Sequence, residues 1–328
     1  MKLVSFKVPT PMGTSVRLGA LRQDSLIADL QSAYRAHLQS ERHLPHGAAT
    51  RLSMAMIPSD MVAFIENGDL ALDAAEQALS WIDQEGLVDQ DGLALTFAKS
   101  SVQVLAPIPR PPLIRDFMAF EQHLKNIYPR LGRDIPQEWY NLPVYYKGNP
   151  GSVGADGDTV AMPPYASSMD FEFEFAAVIG KPGINIPRER AMAHVYGYMI
   201  YNDFSAREIQ QREMSVGLGP AKGKDFQRGH VLGPYLVTAD EIPDVYALRM
   251  TATVNDEHWC TTSTAGMHWR FDQMIEHASM GEMLAVGEVF GSGTCAGGSA
   301  AEVGRSLSKG DVVSLEMERL GRLTNTIG

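Results

Sequence analysis

The sequence predicts an α+β chain, mainly β, in two units, with the larger unit on the C-terminal side. Three observations carry this. Residues 170–180 alternate acid and aromatic (Asp-Phe-Glu-Phe-Glu-Phe) and then turn uniformly apolar through Ala-Ala-Val-Ile. Period-two alternation is the signature of a strand, and the apolar continuation is that of a strand buried on both faces. Residues 196–201 form a second apolar strand-like run. Between the units, residues 107–112 read Pro-Ile-Pro-Arg-Pro-Pro, which resists both helix and sheet ladders and marks a boundary.

In chain order, residues 2–6 and 16–21 read as paired short strands around a turn at Pro11, Met12 and Gly13. Residues 26–30 form a further strand leading into a helix over 31–40. Helices follow over 59–66, with Ser59 as the cap, and over 70–85. The last places Leu72, Ala75, Leu79 and Ile82 at helical spacing, a packing stripe. His37, His43 and His46 lie in a polar stretch without a nearby Cys or acid pair, the pattern of ordinary surface histidines rather than a metal site. Beyond the prolines, residues 116–126 read as a helix with Asp116 at its start. Asp116 and His123 then share one helical face, which taken alone means an N-cap aspartate and an exposed histidine. The aromatic-rich residues 139–149 are loop-like. A strand over 248–254, a helix over 271–277, a glycine-rich loop over 291–298 and a turn and strand over 310–318 complete the chain, with Glu316 and Glu318 on an exposed face.

Composition narrows the function. The 328 residues carry a net charge of −11 and no basic stripe, which argues against a nucleic-acid surface. Two cysteines, Cys260 and Cys295, are not a disulfide framework and fit a reducing cytoplasm. No signal peptide and no long apolar run is present, so a cytoplasmic protein without a membrane partner is expected.

Acids on a strand entering the interior need neutralising, and a hard divalent cation is the usual partner. Glu172 and Glu174 are two apart, and Asp203 ends the second strand. The alternative is that Glu-x-Glu is simply the solvated face of a half-buried sheet. Against it stands the polar cluster of residues 201–211, which directly follows an apolar run. Binding sites concentrate at such strand ends.

Glu172-x-Glu174, Val178-Ile179-Gly180-Lys181, Gly197-Tyr198, Asn202-Asp203-x-Ser205-Ala206-Arg207 and Gly223-Lys224 resemble, in order and spacing, the catalytic core of the fumarylacetoacetate hydrolase family. The likeness runs over residues 107–326. It implies a mixed β-sandwich roll over residues 107–328, preceded by a small β-rich domain with helices over 1–106, and a homodimer. It also implies a metal centre of Asp116, Glu172, Glu174 and Asp203. This oxygen set selects Mg²⁺, Mn²⁺ or Ca²⁺, with Mg²⁺ first. His123 becomes the general base, oriented by Glu302, while Lys224, Arg207 and Gln210 stabilise an oxyanion. Tyr146 and Thr294 contact the substrate together with Arg207 and Gln210. The implied activity is metal-dependent hydrolysis of a carbon–carbon bond in a β-diketone or acylpyruvate-type acid, in aromatic catabolism. A 2-oxo acid decarboxylase or isomerase on the same cradle is the alternative, and a non-catalytic metabolite- or protein-binding relative is a third class. Met214 departs from the pattern, standing where fumarylacetoacetate hydrolase itself has a substrate-binding tyrosine, which alters the pocket.

Overall fold

The computed structural model describes residues 1–10, 13–23, 25–86 and 92–328. Pro11 and Met12 of the expected turn lie outside the described residues. The chain divides into two compact units, Met1–Ile108 and Pro109–Gly328.

In the first unit, β1 (Lys2–Thr10) and β2 (Gly13–Arg22) pair antiparallel from Leu3↔Ala20 to Thr10↔Gly13. β3 (Leu26–Asp29) extends the sheet, and Asp29 caps α1 (Leu30–Ser40) by accepting the Ser32 N–H at 3.0 Å. α2 (His46–Met56), which the sequence reading missed, begins at His46 behind Pro45. α3 (Met61–Glu66) is capped by Asp60, one residue beyond the expected Ser59, whose carboxylate takes the Ala63 N–H at 2.9 Å. α4 (Gly68–Glu85) buries Ala71, Ala74, Ala75, Ala78, Trp81 and Ile82. The stripe is therefore rotated from the expected one, leaving Leu72 and Leu79 half-buried. β4 (Thr96–Ala98) pairs with β3 and β5 (Gln103–Val104) with β1.

The second unit opens with β6 (Ile114–Phe117), α5 (Glu121–Ile127), β7 (Tyr145–Gly148), β8 (Val153–Gly154) and β9 (Thr159–Val160). β10 (Phe173–Ile179), α6 (Arg188–Ala191), β11 (Val195–Asp203), α7 (Arg207–Ser215) and β12 (His230–Thr238) follow. The unit ends with β13 (Arg249–Val254), β14 (Glu257–Ser263), α8 (Phe271–Ser279), β15 (Val289–Gly291), β16 (Val312–Met317) and β17 (Gly321–Ile327). One sheet runs β12-β11-β10-β15-β6-β7, with β8 beside β12, and a second runs β14-β13-β16-β17-β9. The architecture is the mixed α+β arrangement of large open sheets that the sequence implies.

All seven residues of β10 are buried, as the apolar run requires. Phe171, Phe173 and Phe175 are wholly inaccessible, each contributing about 2–3 kcal/mol relative to exposure. That core carries the acids inward with it. Glu316 and Glu318 are exposed, as read.

Asp116 requires a correction. It lies on a strand, not at the start of a helix. β6 pairs parallel with β15 (Gly291↔Asp116) and antiparallel with β7 (Asp116↔Tyr146), so its backbone is committed on both sides and helix α5 begins only at Glu121. Residues 145–148 of the expected loop are the strand that supplies this pairing. Gly291 allows the close approach, because a Cβ there would stand 2.6 Å from Asp116 Oδ1 and 2.8 Å from the Tyr201 ring.

Candidate active site and metal centre

Sheet register assembles the site. β10 runs beside β11, so Glu174 opposes Tyr201, and the Asp203 N–H donates to the Glu172 carbonyl at 3.2 Å. β6 delivers Asp116 from the other side of β15. Asp116, Glu172, Glu174 and Asp203 are all buried, and one oxygen from each lies within 4.8 Å of the others. Among the described residues this is the one group of acids, histidines and cysteines arranged to hold a metal ion. The histidines of the first unit form none.

The donor set fits a hard dication. Asp116 Oδ1 and Glu174 Oε1 are buried and accept no hydrogen bond, an arrangement that is costly unless a cation takes them. Burial and the Asp203 carboxylate push Asp116 well above the usual carboxylate range, and burial and Asp116 do the same to Glu174. Among the described residues neither of those two carboxyls has an ion pair, and the nearby charge of Lys224 only partly offsets the rise at Asp116. The other two are paired: Lys224 Nζ sits 2.5 Å from both Glu172 Oε2 and Asp203 Oδ2. Burial pushes Glu172 and Asp203 up as well, but Lys224 outweighs it at both, with Arg207 at Glu172 and His230 at Asp203, and holds them low.

Arg207, at the start of α7, donates from Nε to Asp170 Oδ2 at 2.8 Å and from Nη1 to Glu172 Oε1 at 2.5 Å and Gln210 Oε1 at 3.0 Å. Asp170 also accepts the Ala300 N–H at 2.6 Å, so this first acid of the alternating strand ties β10's entry to the segment just after the glycine-rich loop.

A cavity of about 200 Å³, open to solvent, is lined by Asp116, Glu172, Glu174 and Lys224 on one side. His123, Tyr146, Gln210 and Thr294 also reach it, and Met118, Val144, Met214 and Pro220 supply apolar wall. His123 Nδ1 is 2.8 Å from Glu302 Oε2. Glu302 is held by Asn126 Nδ2 at 2.8 Å, the Gly297 N–H at 2.9 Å and Ser299 Oγ at 3.2 Å. Burial pushes its carboxyl up, but the His123 hydrogen bond and the donors from Asn126 and Gly297 outweigh it and keep it ionised.

The structure thus brings together Asp116, Glu172, Glu174, Asp203, Lys224, His123, Glu302, Tyr146, Gln210 and Thr294. The Tyr146 hydroxyl donates to Asp203 Oδ2 at 2.6 Å, so it braces a ligand as well as facing the cavity. Arg207 stands behind the acids and does not line the cavity. Sequence reasoning missed Asn126, Asp225 and His230. Asn126 lies in the helix of His123; His230 opens the buried run His-Val-Leu-Gly-Pro-Tyr-Leu-Val, the one signal available for it.

Residues 113–328 match the family model of the fumarylacetoacetate (FAA) hydrolase C-terminal domain. The chain is 29% identical over 315 residues to the oxaloacetate tautomerase YisK of Bacillus subtilis (strain 168), covering 95% of this chain and 96% of that protein. It is 31% identical over 273 residues to the mitochondrial oxaloacetate tautomerase Fahd2a of Rattus norvegicus, covering 83% and 80%. The crystal structure of maleylpyruvate hydrolase from Sphingobium sp. SYK-6 in complex with manganese(II) ion and pyruvate matches with a TM-score of 0.69 at 21% identity, over 100% of this chain and 98% of that one. With its acidic centre and His123–Glu302 pair set on this fold, the chain belongs to the fumarylacetoacetate hydrolase family.

Proposed function

We propose that the chain is a divalent-metal-dependent tautomerase that interconverts the enol and keto forms of a small 2-oxo acid of the oxaloacetate type. The observation that carries this is the placement of His123, paired with Glu302, on the cavity that Asp116, Glu172 and Glu174 line. Asp116, Glu172, Glu174 and Asp203 would hold Mg²⁺ or Mn²⁺. When bound, the ion supplies Lewis acidity to the oxygens of a chelated 2-oxo acid.

The chain's own residues do the rest. Ionised Glu302 only accepts hydrogen bonds, so it fixes the proton of His123 on Nδ1 and leaves the Nε2 lone pair for substrate. Nε2 takes a proton from the carbon between the two carbonyl groups, and the bonding electrons move onto the ketone oxygen. The imidazolium, stabilised by Glu302, returns the proton to that oxygen, giving the enol; the reverse sequence gives the keto acid. Gln210 and Thr294 on the wall orient the polar end of the substrate. The similarity to two oxaloacetate tautomerases over most of the chain supports the same reading.

Carbon–carbon hydrolysis, the first expectation from the sequence, becomes the second reading. The dyad would serve it equally by activating water. It needs further donors for a tetrahedral oxyanion; of the three expected, Arg207 and Lys224 direct their N–H groups at Asp170, Glu172, Gln210 and Asp203, which leaves Gln210 on the cavity wall. Stopped-flow decay of enol absorbance for oxaloacetate and a panel of acylpyruvates, with Mg²⁺ or with EDTA, separates the readings when products are weighed by mass spectrometry. Metal-dependent loss of enol with unchanged mass is expected. Two fragments with added water would establish hydrolysis, and CO₂ would establish decarboxylation.

A further inference from the structure

Behind the four carboxylates lies a histidine that the proposed chemistry does not use. His230 is completely buried and stands directly across the sheet from Asp203 (Asp203↔His230). Its Nδ1 is 3.1 Å from Asp203 Oδ1 and 2.7 Å from the Tyr201 hydroxyl. Its Nε2 is 2.9 Å from Asp225 Oδ1, and that same oxygen accepts the Asn149 N–H at 2.8 Å. The ring therefore has a carboxylate on each nitrogen, one facing the metal centre and one anchored to the backbone after β7.

A second, independent feature is how closely the backbone packs on the ring. Gly148, at the end of β7, carries no side chain, and a Cβ there would lie 3.0 Å from His230 Cε1 and 3.1 Å from Nε2. A side chain at this position would crowd the ring, so glycine is what lets the β7 backbone lie this close to the imidazole. On the opposite side, Asp203 Oδ2 is engaged by Tyr146 at 2.6 Å and Lys224 at 2.5 Å. With Oδ2 pinned from the front, the direction of Oδ1 is decided by what stands behind it, and that is His230 Nδ1.

We propose that His230 is a positioning residue for the metal centre: held by Asp225 and packed against the backbone at Gly148, it sets the orientation of Asp203 and so the affinity of the site for its ion. The inference rests on the four-carboxylate metal site and goes beyond the reaction assigned to it. Groups held against a metal ligand typically change metal affinity by about 10- to 100-fold when removed.

The test is calorimetric titration of the full-length chain with Mn²⁺ alone, with melting temperatures measured alongside. In His230→Asn the amide nitrogen falls near the Nδ1 position and keeps the contact to Asp203. In His230→Gln it falls near Nε2 and keeps only the contact to Asp225. His230→Gln is expected to weaken Mn²⁺ binding at least about tenfold, while His230→Asn stays within about threefold of wild type. A purely structural role would lower the melting temperature in both and separate neither by affinity. Equal affinities for the two variants overturn the proposal. Should both fail to fold, Asp225→Asn is measured instead; weaker Mn²⁺ binding with near-normal melting supports the clamp, and unchanged binding overturns it. Wild-type protein that takes up no Mn²⁺ would overturn the metal centre itself and this inference with it.

Discussion

Replacing Glu302 by Gln perturbs the dyad through a hydrogen-bond conflict whose outcome the geometry determines. Glu302 Oε1 accepts from Asn126 Nδ2 and the Gly297 N–H, and Oε2 accepts from His123 Nδ1 and Ser299 Oγ. A glutamine keeps one oxygen and turns an NH₂ toward one of the two donor pairs. A backbone N–H cannot become an acceptor, whereas a serine hydroxyl can rotate and an imidazole can change tautomer. The NH₂ therefore faces His123 and Ser299. Nδ1 must then accept, the ring proton moves to Nε2, and the nitrogen on the cavity loses its lone pair. Loss of general-base catalysis is expected to reduce kcat by about 10²- to 10⁴-fold, or about 3–5 kcal/mol. The new amide still finds partners, so stability falls by only about 1 kcal/mol and the melting temperature by a few degrees. The assay is steady-state tautomerisation at saturating Mg²⁺, with Mn²⁺ titration as a control. A kcat within threefold of wild type, or a loss matched by weaker Mn²⁺ binding, would refute the reasoning.

Glu174→Gln removes a charge that burial and then Asp116 disfavour, while keeping an acceptor for the Gly293 N–H. It is expected to abolish Mn²⁺ binding yet raise stability in EDTA by about 1 kcal/mol, read by urea titration. Lys224→Met leaves Glu172 and Asp203 without their shared cation and is expected to cost about 3–5 kcal/mol in EDTA. Saturating Mg²⁺ should shrink that deficit, and an equal deficit with and without the ion would contradict the charge assignment. Glu282 is held down to about 2 by its hydrogen bond from Arg115, with Lys147 assisting. A depressed carboxyl stabilises above its ordinary value of 4.5 and loses that contribution as pH falls toward 2. Because Glu282 is partly exposed, Glu282→Gln should cost only about 1 kcal/mol at pH 7. The variant should also show a shallower loss of stability between pH 5 and pH 2 than wild type.

The acid–aromatic alternation of residues 170–175 was legible because period two is local, and burial of three phenylalanines is what draws Glu172 and Glu174 inside. Asp116 could be named as a ligand by family likeness, but its local sequence resembles a helix start. Only pairing with β15, more than 170 residues away, and with β7 makes it a strand residue. Arg207 and Lys224 were visible as the cations that an acidic site needs. Their partners were not, because Asp170 holds Arg207 behind the acids while Lys224 reaches between Glu172 and Asp203. The apolar run after His230 could place it at a strand start but not beside the acids, since that position exists only through the register that sets it opposite Asp203.

The most direct test follows deuterium by NMR. A 2-oxo acid with an exchangeable C3 proton is incubated in D₂O with the wild-type chain, with His123→Ala, and with each in EDTA. Metal-dependent deuterium uptake at C3 with the carbon skeleton intact, lost in His123→Ala, is expected. Cleavage of the skeleton, or uptake that survives both EDTA and His123→Ala, would contradict a metal-assisted proton transfer through His123.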